Sequence, residues 1–221
     1  SNTNVIFSGR LTYSKGGYVV KMLKWILGDD AFYSAIRDYH SRPNLAYNYV
    51  KTADLKNSLL QSTGKDFTEF FNDWIYGQGY PTYQIKWIQT ADQILRFKVS
   101  QTQSHSSVSF FEMPLPIKVN GTGGQVAYLV LDNTTNNQNF AKTVGFPVAS
   151  VQFNYEYQIV QKNSTVTKDT SILAVGNSEK EAIKIYPNPV KNQITVTGIS
   201  KAQPFEIYNI EGKLIKTGKY S

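Results

Sequence analysis

The sequence contains no cysteine and only two histidines among its 221 residues. Without cysteine there are no disulfides and no thiolate metal sites, although this absence does not indicate a cellular compartment. No run of about 18 apolar residues occurs, so we expect no membrane span. The chain starts Ser1-Asn2, with neither a methionine nor a signal-peptide pattern. We therefore expect an excised fragment that begins with the remnant of a cleaved tag.

The scarcity of histidine limits metal chemistry. His40 comes just before Pro43 at the end of a predicted helix, and His105 lies 65 positions further on, in a polar stretch. A zinc site needs three or four ligands close together, so we interpret both histidines as solvated surface residues. The sequence also lacks a nucleophile–base arrangement and a phosphate-binding glycine loop. We therefore predict no metal site and no cofactor-binding site in this chain.

Charge and aromatic content describe a folded chain with a basic surface. Lysine and arginine number 23 against 16 acidic residues, a net charge of +7, but they are spread along the chain. This distribution favours a solvated surface over a nucleic-acid groove, and we expect no nucleic-acid partner. The 15 tyrosines, 12 phenylalanines and 3 tryptophans exclude a disordered chain.

The stretch from Gly9 to Gly17 precedes a clear helix. The adjacent Gly16 and Gly17 are typical of a tight turn. An apolar stripe at helical spacing then follows and ends at Gly28, a natural C-cap: Val19, Met22, Leu23, Ile26 and Leu27. This pattern predicts that Tyr13 lies on a loop before a buried helix, held in position and able to face a cavity. The alternative is an aromatic that merely staples the helix start.

Three further helices are predicted before residue 77. One runs from Asp30 to Ser41, with Asp29 or Asp30 as a cap, and Pro43 stops it. The next begins at the N-cap Thr52 and ends at Gly64. The last begins with a capping-box pattern and carries a heavy aromatic stripe that something large must cover: Phe67, Phe70, Phe71 and Trp74.

The periodicity then changes from 3.6 to 2, which indicates strands. The strand-like runs are Tyr83–Trp87, Ile94–Val99, Val108–Phe111, Leu115–Val119, Val126–Leu131 and Val148–Tyr157. Asn120-Gly121 is a hairpin signal. Six or so short strands at this spacing predict an antiparallel β-sandwich of roughly 85 residues. The Ser/Thr/Asn-rich residues that follow are interpreted as a linker, and a small β unit ends the chain.

The N-terminal motifs resemble the C-terminal part of the catalytic domain in the aminopeptidase N family of gluzincin metallopeptidases. The whole series matches in order and approximate spacing: Tyr13-Ser14-Lys15-Gly16, the Val19–Leu27 helix, Leu27-Gly28-Asp29, Phe32, Gly64-Lys65-Asp66, Phe70-Phe71, Trp74 and Gly79-Tyr80-Pro81. The resemblance implies the helical part of a thermolysin-like catalytic domain.

The same resemblance implies a role for Tyr13 and a zinc ion in the full-length enzyme. In this family the corresponding tyrosine donates a hydrogen bond to the oxyanion that forms when water attacks the peptide carbonyl. A tyrosine phenol, with a pKa of about 10 in water, stays protonated for this at neutral pH. The family's H-E-x-x-H motif is absent from these residues, so the fragment alone is expected to bind no zinc and to be inactive.

The C-terminal segment has a second resemblance. Ile183–Val190, Ile194-Thr195-Val196 and Ile207–Lys213 resemble the C-terminal sorting domain of type IX secretion cargo. The resemblance implies a Bacteroidetes-type protein that the type IX machinery exports to the cell surface or the medium. The final strand pair of that domain, with its basic end, is expected to be missing after Ser221, and a purely structural Pro-stiffened β module is the alternative.

These observations predict a multidomain α + β chain. The expected parts are a helical catalytic portion at 1–79, a β-sandwich at 80–161, a linker at 162–181 and an incomplete sorting domain at 182–221. The expected function is that of the C-terminal portion of a secreted zinc aminopeptidase with a peptide substrate. The alternative is a non-catalytic, surface-attached sandwich that binds a partner or glycan through aromatics such as Trp87. Helices excised from a larger domain should leave apolar surface exposed and favour self-association.

Overall fold

The computed structural model of the chain describes residues 7–174, 184–186, 195–197, 203–209 and 213–220. The chain divides into two compact units, Ser1–Leu173 and Ala174–Ser221. The structure is mixed α and β with several sheets. No helix within the described residues is long and apolar enough to cross a bilayer.

The first unit begins with helices. A π-helical turn, Gly9–Ser14, leads into α1 (Lys15–Leu27), which is followed by α2 (Asp29–Ser41), α3 (Thr52–Thr63), α4 (Thr68–Phe71) and a second π-helical turn, Asn72–Tyr76. Gly28 ends α1 with a positive φ of 77° and donates its N–H to the Lys24 carbonyl at 2.8 Å, as the sequence predicted.

Two predicted helix caps are wrong by one or two residues. The N-cap of α2 is Gly28, so that Asp29 and Asp30 lie in the first turn, where their charge still complements the helix dipole. The N-cap of α3 is Lys51 rather than Thr52, and the Asp54 carboxylate accepts the Lys51 N–H at 2.7 Å. Helix boundaries shift in this way because a carboxylate in the first turn can satisfy the free N–H groups.

Seven strands follow in the first unit: β1 (Pro81–Gln89), β2 (Ile94–Gln103), β3 (Met113–Gly121), β4 (Val126–Asn133), β5 (Gln138–Thr143), β6 (Val148–Phe153) and β7 (Thr165–Lys168). They form a four-stranded sheet in the order β5-β2-β1-β7 and a three-stranded sheet in the order β4-β3-β6. All pairs are antiparallel except β1 with β7, which is parallel.

Three segments differ from the predicted strand pattern. Residues 108–111 are not a strand; Val108 and Phe111 are buried, and the Phe111 N–H donates to the Gln101 side-chain oxygen at 3.0 Å. Strand β5 was not predicted, because its residues are polar or only half-buried. Strand β7 and a 3₁₀ helix, Thr170–Ala174, occupy part of the predicted linker.

One hydrophobic cluster joins the helices to both sheets. The aromatic stripe of α4 and the following turn is buried, and the Trp74 ring lies 4.6 Å from the Phe111 ring. The alternating inward residues of β1, β2 and β3 belong to the same cluster. The sheets therefore provide the cover that the stripe requires.

The second unit contains two strand pairs within its described residues. Strand β8 (Lys184–Tyr186) pairs with β9 (Thr195–Thr197), and β10 (Gln203–Tyr208) pairs with β11 (Leu214–Tyr220), both antiparallel. Parts of the predicted motifs Ile183–Val190 and Ile207–Lys213 lie outside the described residues.

Candidate functional site

Tyr13 lies on a helical turn and not on the predicted loop. The amides of Thr12 and Tyr13 donate to the Ser8 carbonyl at 2.9 and 3.3 Å, and the Leu11 N–H donates to the Ser8 hydroxyl oxygen at 3.2 Å. The Lys15 N–H donates to the Arg10 carbonyl, which makes the turn continuous with α1. Gly16 and Gly17 are ordinary helical residues of α1 with open space where a Cβ would be, so no tight turn requires them.

The Tyr13 side chain faces solvent. It is 63% exposed, and none of the residues Gly9–Ser14 is buried. No described residue hydrogen-bonds its hydroxyl group. The hydroxyl group is therefore not engaged by a described part of the chain.

A cleft of about 910 Å³ lies beside this turn. One wall comes from the turn itself and the first half of α1, including Arg10, Thr12 and Lys15. The opposite wall consists of residues 75–80, and apolar side chains form the floor: Val19, Leu23, Leu55, Phe71 and Trp74. Tyr13 is not among the lining residues, although its neighbours on the turn are.

Burial changes the acid–base behaviour of Lys15, which lines the cleft, and of Asp73, which precedes the lining residue Trp74 in the chain. The Lys15 ammonium donates to the Gly77 carbonyl at 3.3 Å, and desolvation by burial lowers the pKa of this lysine. Burial raises the pKa of Asp73 to about 6, and the negative charges of Glu69 and Glu112 raise it further.

Two buried polar atoms near these groups have no hydrogen-bond partner. They are the Trp74 indole nitrogen and the Tyr83 hydroxyl, and both side chains are almost completely buried. Burial raises the pKa of the Tyr83 phenol, and the nearby charge of Asp73 acts in the same direction. Both side chains belong to the core cluster, where their large apolar area offsets an unpaired polar atom.

Neither histidine lies in a metal-binding arrangement. His40 is exposed at the end of α2, with its ring 5.3 Å from Tyr39, and His105 is exposed with its Nδ1 2.9 Å from the Ser107 hydroxyl. Within the part of the chain that the structure describes, no group of three His, Cys, Asp or Glu side chains could hold a metal ion. The chain's described residues do not fit a zinc site.

Sequence reasoning did not identify Lys15 as a residue that connects two parts of the cleft. The residue was noted only as part of a motif, because its partner Gly77 lies 62 residues away in the chain. A local sequence pattern cannot predict a contact between residues that far apart in the chain. Trp87, which the alternative function would need on a surface, is buried in the core at 4% exposure.

Comparisons with known proteins identify both ends of the chain. Residues 1–74 match the family model of the peptidase family M1 domain, and residues 184–221 match that of the secretion system C-terminal sorting domain. Aminopeptidase N of Lactococcus lactis is 27% identical over 118 residues, which are 53% of this chain and 14% of that protein. Aminopeptidase M1-C of rice is 33% identical over 86 residues, 39% of this chain and 10% of that protein.

A solved structure shares the fold. The crystal structure of Legionella pneumophila aminopeptidase A in complex with aspartic acid superposes with a TM-score of 0.59 at 14% identity, covering 76% of this chain and 19% of that one. The chain spans less than a fifth of the length of the first curated relatives it matches. Its first 74 residues thus match peptidase family M1, whose curated relatives are aminopeptidases, and its last 38 match a sorting domain that indicates type IX export to the cell surface or the extracellular space.

Proposed function

We propose that this chain forms the C-terminal portion of a secreted zinc aminopeptidase that removes N-terminal residues from peptides. The observation that carries this proposal is the family M1 match over residues 1–74, a range that includes Tyr13-Ser14-Lys15-Gly16. In this proposal residues 1–79 are the helical end of a thermolysin-like catalytic domain. The two sheets are its accessory β-sandwich, and the tail at 182–221 engages the type IX machinery.

Tyr13 is the residue of this chain that acts on the substrate. Its exposed phenol donates a hydrogen bond to the oxygen that becomes negative when the peptide carbonyl is attacked. Such a donor lowers the barrier because it is aimed at charge that develops only in the transition state. The open position of the hydroxyl group, without a described partner, supports this role.

The zinc ion of this proposal is held outside these residues. The chain has two histidines and no H-E-x-x-H sequence, and its described side chains form no metal cluster. The ligands must therefore come from another segment of a longer polypeptide. This chain contributes Tyr13, the apolar floor of the cleft and the packing that keeps both in place.

The alternative, a non-catalytic binding module, has one observation in its favour. The outward side chains of β4 are exposed, and the Tyr128 ring lies 5.2 Å from the Tyr155 ring. An exposed tyrosine beside a half-buried one suits a glycan or a protein partner. Trp87 is buried and therefore not accessible to such a partner.

The test is an activity measurement on the natural full-length polypeptide. We expect it to hydrolyse an amino-acid anilide, to lose this activity in a chelator and to regain it with zinc. Hydrolysis that a chelator leaves unchanged would contradict the zinc chemistry. Complete lack of hydrolysis, together with glycan or protein binding that Tyr128→Ala abolishes, would favour the binding module.

A further inference from the structure

The turn that carries Tyr13 leads into α1 and is built around local hydrogen bonds. Ser8 accepts three of its backbone amides, and the Ser14 hydroxyl donates to the Gly9 carbonyl at 3.0 Å. None of its side chains is buried. These local bonds keep the turn helical, but they do not themselves set its distance from the opposite wall of the cleft.

The opposite wall is rigid. It contains a segment that we call the glycine turn, Gly77–Tyr80. The amides of Gln78 and Tyr80 donate to the hydroxyl oxygens of Ser107 and Ser104, each at 2.9 Å, and the Ser104 N–H donates to the Tyr80 carbonyl at 3.0 Å. Three hydrogen bonds to one loop therefore hold this turn.

The two glycines of this turn leave no room for a side chain. A Cβ on Gly77 would lie 2.4 Å from a Val108 methyl group and 2.6 Å from the Asp73 carbonyl oxygen. Gly79 has a φ of +94°, and a Cβ there would lie 2.7 Å from the Ser104 hydroxyl oxygen. Close packing on this scale excludes large displacements of the backbone, so the Gly77 carbonyl is a fixed point.

Lys15 connects the two walls. It is the first residue of α1, two positions after Tyr13, and its ammonium donates to that fixed Gly77 carbonyl at 3.3 Å. The ammonium is partly buried and makes no ion pair with a described carboxylate. Burying a lysine ammonium without a counter-charge costs free energy. The hydrogen bond to the Gly77 carbonyl offsets part of this cost, so we interpret it as the main role of Lys15.

We propose that Lys15 is a positioning residue, which holds the Tyr13 turn at a fixed distance from the glycine turn and so orients the phenol. This inference rests on the proposed catalytic role of Tyr13. The residue acts through Tyr13 and does not itself touch the substrate. Its single carbonyl partner suits the compact ammonium of lysine, whereas the planar fork of arginine fits that geometry less well.

The same helix offers a matched control. Lys21 also donates from its ammonium to a distant backbone carbonyl, that of Glu156, at 3.0 Å. This bond lies almost two helical turns beyond Lys15 and does not reach the cleft wall formed by the glycine turn. Lys21→Met removes the same type of bond from the same helix without affecting the proposed connection.

The first experiment measures amide hydrogen exchange over residues 9–14 in this 221-residue chain. We expect Lys15→Met to speed exchange of the turn about fivefold or more, as loss of a charge-assisted hydrogen bond predicts. Lys21→Met should leave it unchanged. Exchange within about twofold of wild type in Lys15→Met, or equal acceleration in both variants, would overturn the inference.

The second experiment measures kinetics in the full-length polypeptide. Lys15→Met should lower kcat with little change in KM, and Lys15→Arg should restore part of the loss, since a misplaced donor weakens transition-state binding. If the enzyme is active and Lys15→Met leaves its kcat unchanged, the positioning role is contradicted. A polypeptide without peptidase activity would contradict the proposed function instead, and the exchange measurement would still decide whether Lys15 holds the turn.

Discussion

Tyr13 and Asp73 differ in their surroundings: Tyr13 is exposed to solvent, whereas Asp73 is half-buried near other carboxylates. The Tyr13 phenol is mostly exposed, so its chemistry depends on what binds beside it. Asp73 is half-buried on the second π-helical turn, and the carboxylates of Glu69 and Glu112 act on it. The first residue should therefore matter for catalysis and the second for stability.

Replacing Tyr13 by phenylalanine tests its catalytic role. In the full-length polypeptide, Tyr13→Phe should lower kcat by about 10²–10³ while KM changes little, because the lost hydrogen bond forms mainly in the transition state. Thermal stability should barely change, since the ring is exposed. Steady-state kinetics and thermal melting check both expectations. A kcat within about threefold of wild type would contradict the catalytic role and indicate that Tyr13 is a structural residue.

Asp73 should make the stability of the chain depend on pH. Its folded-state pKa of about 6 lies above the value of about 4 expected when unfolded. Its protonated form therefore favours folding below about pH 4, and this contribution disappears as the pH rises through 6. We expect Asp73→Asn to stabilise the chain at pH 8 by about 1 kcal/mol, after allowance for partial exposure, and to have no such effect near pH 4.

Urea unfolding at the two pH values measures this difference. Asp132→Asn, at an exposed aspartate of β4, is the control and should follow wild type at both. Equal stabilisation by Asp73→Asn at pH 4 and pH 8 would show that packing, not charge, is responsible.

At the scale of elements, the helices of the first unit were predicted more successfully than the strands. The Val19–Leu27 stripe and Gly28 predicted the buried face and the C-terminal end of α1 because these depend on local spacing. The turn before it was expected to be a loop, since adjacent glycines suggest one. In the structure the Ser8 bonds extend the helical path through Tyr13, and the glycines are accommodated within α1.

The exposed stripe of β4 should drive self-association. Val126, Tyr128 and Val130 face outward on the outer strand of the three-stranded sheet. Exposed apolar edge strands tend to pair with another copy. We expect light scattering to detect dimers or larger species, and Val130→Lys to shift them toward monomer. Thr143→Lys, on the polar edge strand β5, should not. A strictly monomeric wild-type chain would contradict this prediction.

At the scale of the whole molecule, these 221 residues should not be a functional metalloenzyme. Zinc sites need three or four ligands at about 2 Å, and the two histidines lie apart on exposed surfaces. After dialysis against chelator-treated buffer, we expect no stoichiometric zinc by elemental analysis and no hydrolysis of an amino-acid anilide. The full-length polypeptide is the positive control. Tightly retained zinc in the 221-residue chain would overturn the proposal that the ligands lie elsewhere.

The sequence by itself determined the family resemblance, the main helices and the segments that end them. These features depend on local spacing, capping residues and ordered motifs, all of which can be read along the chain. Tyr13 was identified in this way, through Tyr13-Ser14-Lys15-Gly16 and not through its surroundings. The sorting-domain motifs at 183–213 were also recognisable without a structure.

Only the tertiary structure decided how these elements meet. The parallel pairing of β7 with β1 joins residues about 80 positions apart, and the bond from Lys15 to the Gly77 carbonyl joins residues 62 positions apart. Burial of Asp73, which raises its pKa, likewise depends on how the helices and Glu112 pack around it. Such contacts have no local pattern, because their free energy comes from groups that approach each other only when the whole unit has folded.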